Sequence, residues 1–85
     1  MPLQKYKIDT LNYNYSYQVR SDCNDITFYN SGGVNITLNS SLVLNPGASI
    51  SFSGNEQELD TTIYTWTFPP GAGLKAITIF RKIYY

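Results

Sequence analysis

Three groups of side chains in this 85-residue chain have types and spacing that could support chemistry. Glu56, Glu58 and Asp60 alternate, so an extended backbone places their carboxylates on one side. Paired carboxylates serve glycoside hydrolysis, and clustered oxygens hold Ca²⁺. Three like charges repel one another without a cation or basic partner, and the same residues suit a solvated acidic loop. Asp22, Asn24 and Asp25 begin like a calcium loop, but Ile26 stands where the third ligand belongs and Thr27 replaces the required Gly. Asx residues that bond their own backbone in a turn account for them. Tyr13, Tyr15 and Tyr17 alternate as well, with Tyr6, Tyr84 and Tyr85 near the two termini. Such rings stack on sugars or bases, anchor protein interfaces, or form the half-buried core of a small sandwich.

What the chain lacks narrows the choices further. It contains no His, which removes Ser-His-Asp and Cys-His catalysis and His-ligated metals. Cys23 is the one cysteine, so neither an internal disulfide nor a paired-cysteine metal site can form, and it reads as a small hydrophobe. No catalytic residue, metal site or cofactor is therefore expected. Six Lys and Arg balance six Asp and Glu, which argues against nucleic acid as a partner and favours association over dispersal. No apolar run approaches the ~20 residues of a membrane helix. Met1-Pro2-Leu3-Gln4-Lys5-Tyr6 lacks the apolar core of a signal peptide, so a chain made in the cytoplasm and not bound for a membrane is expected.

The elements that must position these residues follow from a period of two. Tyr13, Tyr15, Tyr17 and Val19 fall on one face of an extended segment. Ile26 and Phe28 share a face, as do Val34, Ile36 and Leu38. Ile50 and Phe52 form another such set, Tyr64, Trp66 and Phe68 a further one, and Ile77, Ile79 and Ile83 the last. Successive side chains of a strand point to opposite sides, so each set marks a strand with one buried face. Turn residues separate them. Asn30-Ser31-Gly32-Gly33 reads as a hairpin connection, Asn45-Pro46-Gly47 as a type II turn, and Pro69-Pro70-Gly71-Ala72-Gly73 as a break before the last strand. Strands are predicted near residues 4–9, 13–20, 25–29, 33–39, 41–44, 48–53, 61–68 and 74–83. Their spacing predicts one all-β domain over 1–85, a small antiparallel sandwich or barrel of seven or eight short strands, jelly-roll or immunoglobulin-like. Trp66 is expected on a central strand. Lys5, Lys7, Arg81 and Lys82 read as charges that guard sheet edges.

The middle of the chain carries a more particular order. Ile26-Thr27-Phe28-Tyr29-Asn30-Ser31-Gly32 is followed by Val34-Asn35-Ile36-Thr37-Leu38-Asn39, then by Leu42-Val43-Leu44-Asn45-Pro46-Gly47-Ala48-Ser49-Ile50-Ser51-Phe52-Ser53-Gly54-Asn55. This arrangement, over residues 26–55, resembles small β-rich structural proteins of tailed bacteriophages, of the capsid decoration, head-fibre and tail accessory kinds. The resemblance implies a non-enzymatic virion subunit, a homo-oligomer that is often a trimer, in contact with other virion proteins. It transfers no catalytic residue. Its structural residues would be Asn30, Gly32, Leu44, Pro46, Gly47 and Phe52, with Leu44 and Phe52 packing in the core across the Pro46-Gly47 turn. The tyrosines leave a glycan as the other partner to consider, through a lectin-like surface.

Overall fold

Apolar residues at every second position make strands, and eight of them form in a computed structural model that describes residues 5–54 and 59–84. They are β1 (Tyr6–Tyr13), β2 (Tyr17–Arg20), β3 (Asp25–Asn30), β4 (Ile36–Leu38), β5 (Leu42–Leu44), β6 (Ser49–Phe52), β7 (Ile63–Thr67) and β8 (Ile77–Tyr84). No helix occurs among the described residues. Two antiparallel four-stranded sheets result, one ordered β1-β8-β3-β6 and the other β2-β7-β4-β5.

The pairing has a simple logic. β1 pairs with β8, β2 with β7, β3 with β6 and β4 with β5. These are the rungs of one long antiparallel ribbon whose tip is the β4–β5 turn. Rolling that ribbon adds two seams, β3 to β8 and β4 to β7. The product is the connectivity of a jelly roll. An immunoglobulin-type sandwich is excluded because β1 and β2 lie in different sheets.

Between the sheets lie Ile26, Phe28, Ile77 and Ile79 from one layer and Ile36, Leu38, Leu44, Tyr64 and Trp66 from the other, all buried. Trp66 stands on the inner strand β7, as expected. The connections of residues 14–16, 31–35, 45–48 and 68–76 gather at one end of the sandwich. Those of residues 21–24, 39–41, 53–54 and 59–62 gather at the other, beside the start of β1 and the end of β8.

Several expectations need correction. Residues 13–20 are not one strand: the chain leaves the first sheet after Tyr13 and enters the second at Tyr17. Asn14-Tyr15-Ser16 contains no Gly or Pro to mark a break, and tertiary bonds hold the bend, from Trp66 Nε1 to the Tyr15 carbonyl (2.9 Å) and from the Phe68 amide to Ser16 Oγ (3.0 Å). The first strand does not stop at residue 9 but runs to Tyr13, because Thr10, Leu11 and Asn12 pair without interruption with Phe80, Ile79 and Thr78. Residues 30–33 are a crossover between sheets rather than a hairpin, since β3 and β4 do not pair. Gly32 is not needed there for a positive φ: an added Cβ would sit 2.5 Å from the Leu74 carbonyl oxygen and 2.7 Å from the Ala76 nitrogen. The fourth strand shrinks from 33–39 to residues 36–38. Arg81 and Lys82 guard no edge, since β8 lies inside its sheet.

The turn at residues 45–48 forms as read. Gly47 has φ +83°, and the Ala48 amide donates to the Asn45 carbonyl at 2.9 Å. The ribbon's tip carries no glycine, and Asn39 (φ 52°) and Ser40 (φ 65°) take the left-handed conformation themselves. Asn39 is held by the Thr65 amide, which donates to its Oδ1 at 3.0 Å.

Candidate functional site

Tyr13 and Tyr17 belong to different sheets, yet the three tyrosines still meet. Ring centroids lie 5.5 Å apart for Tyr13–Tyr15, 5.7 Å for Tyr15–Tyr17 and 5.9 Å for Tyr13–Tyr17. Beneath them is Trp66, 5.0 Å from Tyr13 and 6.4 Å from Tyr17. Tilted and edge-on arrangements at these distances suit the quadrupoles of the rings. Trp66 is 1% exposed, whereas Tyr15 and Tyr17 are 53% and 56% exposed. The cluster therefore closes one end of the core and turns two rings to solvent. A hydrogen bond from the indole to the Tyr15 backbone fixes the crossing that carries them. Its chemistry is stacking, on a sugar ring or on a partner's side chains.

A second surface is the outer face of the first sheet. On β1 it presents Tyr6, Ile8, Thr10 and Asn12, on β8 Tyr84, Lys82, Phe80 and Thr78, and on β3 Asp25, Thr27 and Tyr29. Tyr6 faces Tyr84 directly, and Ile8 lies diagonal to both Tyr84 and Phe80. Tyr6 is 54%, Ile8 51%, and Tyr29 and Phe80 are each 38% exposed. Lys82 Nζ rests 4.4 Å from the Tyr6 ring centroid and 5.1 Å from that of Tyr84, a cation–π contact that keeps its stem along the rings. The opposite sheet turns mainly Gln18, Arg20, Thr37, Thr65 and Thr67 outward, with Val43 and Ile63 apart from each other. Ile8 and Phe80 escaped the sequence reading. Phe80's signal was an apolar residue on the parity opposite to Ile77 and Ile79, and Ile8's an apolar residue on the parity opposite to Leu11 and Tyr13.

The residues of the central motif have structural work. Asn30 is 1% exposed; its Nδ2 donates to the Val34 carbonyl at 2.7 Å and the Leu44 carbonyl at 2.9 Å, and its Oδ1 accepts from the Gly32 amide at 3.0 Å. Its backbone also bonds Ala48 and Gly47. One amide thus pins the β3–β4 crossing to the β5–β6 turn made by Pro46 and Gly47. Leu44 is buried. Phe52 is only half-buried, and its ring neighbours are Phe28 and Tyr64.

The acidic side chains among the described residues are committed to scaffold bonds. Asp60 accepts from the Thr62 amide at 2.8 Å and the Tyr64 hydroxyl at 2.7 Å, while its carbonyl accepts from Ser21 Oγ at 2.6 Å. Burial pushes its carboxyl up, but the bonds from Thr62, Tyr64 and Ser21 outweigh burial and hold it below the ordinary value of 3.8. The same surroundings push Tyr64 up to about 12, through burial first and then its bond to Asp60. Burial likewise drives the Cys23 thiol up to about 11, with no exposure of the residue. Backbone bonds join Cys23 to Asp60 in both directions, at 3.3 and 2.8 Å. Asp22 pairs with Arg20, the Gly54 amide donates to Asp25, and the Tyr84 amide donates to Asn24. Arg81 spans this end, reaching the Ser21 carbonyl at 3.2 Å and Asp9 at 3.1 Å, with its buried Nε unpartnered among the described residues. A concavity of about 270 Å³ lined by Asn24, Phe52, Ser53, Gly54, Leu59 and Asp60 opens here, and its one described carboxylate is already bonded. Glu56, Glu58 and Tyr85 lie outside the described residues. Among the described residues no three His, Cys, Asp or Glu side chains gather as a metal site.

Compared with known proteins, the chain matches no family model, no curated protein and no solved structure.

Proposed function

We propose that the protein is a non-enzymatic structural or assembly protein, a bacteriophage virion accessory subunit of the capsid decoration, head-fibre or tail kind. It acts through contacts with copies of itself and with other virion proteins. The observation that carries this reading is the outer face of the first sheet, where Tyr6, Ile8, Phe80 and Tyr29 stand exposed in adjoining positions. A monomer rarely leaves such a face uncovered unless it is an interface. The jelly-roll connectivity adds support by fold-level analogy, since viral capsid and lectin domains share it. The resemblance over residues 26–55 points the same way.

Sedimentation velocity over micromolar concentrations tests the assembly half, and a concentration-dependent oligomer is expected. Gene neighbourhood tests the virion half: capsid, portal or tail genes alongside support it, and a neighbourhood of unrelated metabolic genes overturns it.

A second reading, a lectin-like carbohydrate-binding module, is favoured by one observation: Tyr15 and Tyr17 present exposed rings on a buried Trp66 base. Glycan-array binding that disappears in Tyr15→Ala, with the circular dichroism spectrum unchanged, would establish it. Absence of glycan binding in the folded wild type would remove it.

A further inference from the structure

Sheets end in edges, and edges with unpaired amides and carbonyls invite another strand. Three of the four edges here are short: β2 and β6 have four residues each and β5 has three. The fourth, β1, has eight. It contains no proline, and its register with β8 runs unbroken from Tyr6↔Tyr84 to Tyr13↔Ile77, so no bulge twists it away. Of the usual protections it has only charge, and its two charges have opposite sign: Lys7 and Asp9, two positions apart on one face.

That spacing selects a partner. When two copies of β1 pair antiparallel about a two-fold axis, the register must keep like faces together, so the axis passes through one residue. An axis at Lys7 sets lysine against lysine, and an axis at Asp9 sets aspartate against aspartate. At Thr10 it leaves Lys7 opposite Tyr13 and Asp9 opposite Leu11. At Ile8, Lys7 of each copy faces Asp9 of the other, Ile8 faces Ile8, and Tyr6 faces Thr10. Asp9 keeps capacity for a second cation, since it gives Oδ2 to Arg81 and its side chain remains 36% exposed.

Resting on the assembly reading above, we propose that the protein dimerises by antiparallel pairing of β1 with β1 of a second copy, centred on Ile8, with two reciprocal Lys7–Asp9 ion pairs. The two first sheets then join into one eight-stranded sheet. Its outer face carries both copies of Tyr6, Ile8 and Phe80 as one continuous strip, a larger docking surface than either chain offers alone.

Cysteine cross-linking tests the register. Directly opposed residues bring their Cβ atoms ~4.5–5.5 Å apart, close to disulfide reach after small adjustment. Ile8→Cys on the full chain should oxidise to a covalent dimer. Thr10→Cys, which is opposed to Tyr6 instead of itself, should not, and neither should the wild type with its buried Cys23. Ile8 is half exposed, so the variant should fold. A second arm needs no cysteine: Lys7→Glu turns both ion pairs into repulsions and should raise the dimer dissociation constant by roughly tenfold or more. If the wild type associates but Ile8→Cys does not cross-link and Lys7→Glu sediments unchanged, the pairing is wrong while the assembly reading stands. Equal cross-linking of the Ile8 and Thr10 variants also overturns the register. A wild type that stays monomeric throughout overturns both.

Discussion

At the end of the sandwich built from residues 14–16, 31–35, 45–48 and 68–76, aromatic rings close the space between the sheets. At the opposite end hydrogen bonds do that work. Tyr13, Tyr15, Tyr17 and Trp66 pack ring against ring, and two of the four face solvent. Ser21, Cys23, Asp60, Tyr64 and Arg81 bind one another and the backbone, with three of the five fully or nearly fully buried. Ring packing is tolerant of direction and leaves faces available to a ligand. A satisfied polar network is directional and uses up the donors and acceptors it holds. The polar end therefore looks like chemistry, with carboxylates, a thiol and a concavity, but serves as a clasp. The aromatic end and the adjoining sheet face hold the surface that can dock.

The comparison breaks most readily at Trp66. Trp66→Ala should cost about 3–5 kcal/mol, as for other buried large aromatics, out of a total stability of about 5–15 kcal/mol. Urea denaturation followed by circular dichroism measures it. A loss below ~1 kcal/mol would mean that the aromatic end does not close the core.

At the clasp, Asp60→Ala removes the acceptor for the Thr62 amide and the Tyr64 hydroxyl. Leaving the partly buried Tyr64 hydroxyl without its acceptor should cost about 1–3 kcal/mol in the same assay, with the exposed Thr62 amide adding little. If Asp60 were instead a catalytic or binding carboxylate under strain, its removal would leave stability unchanged or raise it.

Titration sharpens the contrast, because three of the four shifted groups among the described residues, Cys23, Asp60 and Tyr64, belong to the clasp, while the fourth, Lys82, is raised by its bond to Tyr84 on the sheet face. The lowered carboxyl of Asp60 stabilises the fold above 3.8, and that contribution disappears as pH falls through its folded value. The raised Cys23 thiol acts in the other direction: its contribution is complete below 9.0 and is lost as pH climbs to about 11. Tyr64 follows between 10.0 and about 12. Unfolding free energy measured against pH should therefore decline from about pH 9 upward. Cys23→Ala should start its decline about one unit later, where Tyr64 begins. An unchanged alkaline profile in that variant would contradict the burial of the thiol.

The smallest expected effect on stability belongs to an exposed ring of the aromatic end. Tyr15 is more than half exposed, so Tyr15→Ala should cost less than ~1 kcal/mol. A loss as large as that of Trp66→Ala would show that Tyr15 is a core residue and not a surface platform.

Period-two patterning placed β2, β3, β4, β6, β7 and β8 near their positions, since a strand with one buried face writes its geometry locally, as Ile26 and Phe28 or Tyr64 and Trp66 do. The Asn45-Pro46-Gly47 turn was equally legible, because proline and glycine fix their own torsions. The crossing at Asn14-Tyr15-Ser16 was not, because bonds from Trp66 and Phe68, some fifty positions away, bend it. Strand order depends on pairs such as Tyr6↔Tyr84, about which no local pattern carries information. The tyrosine cluster was found from an alternation meant for one strand, and it survives because the chain folds Tyr13 and Tyr17 against the same Trp66. The clasp was hidden because Asp60, read with its acidic neighbours, reveals its partners Ser21 and Tyr64 only in three dimensions.

Sedimentation equilibrium of the wild-type chain at neutral pH, from low to high micromolar concentration, bears most directly on the idea that this scaffold exists to associate. A weight-average mass that climbs from 9.6 kDa toward that of a dimer or larger is the predicted result. A mass that stays at the monomer value across the whole range would contradict it.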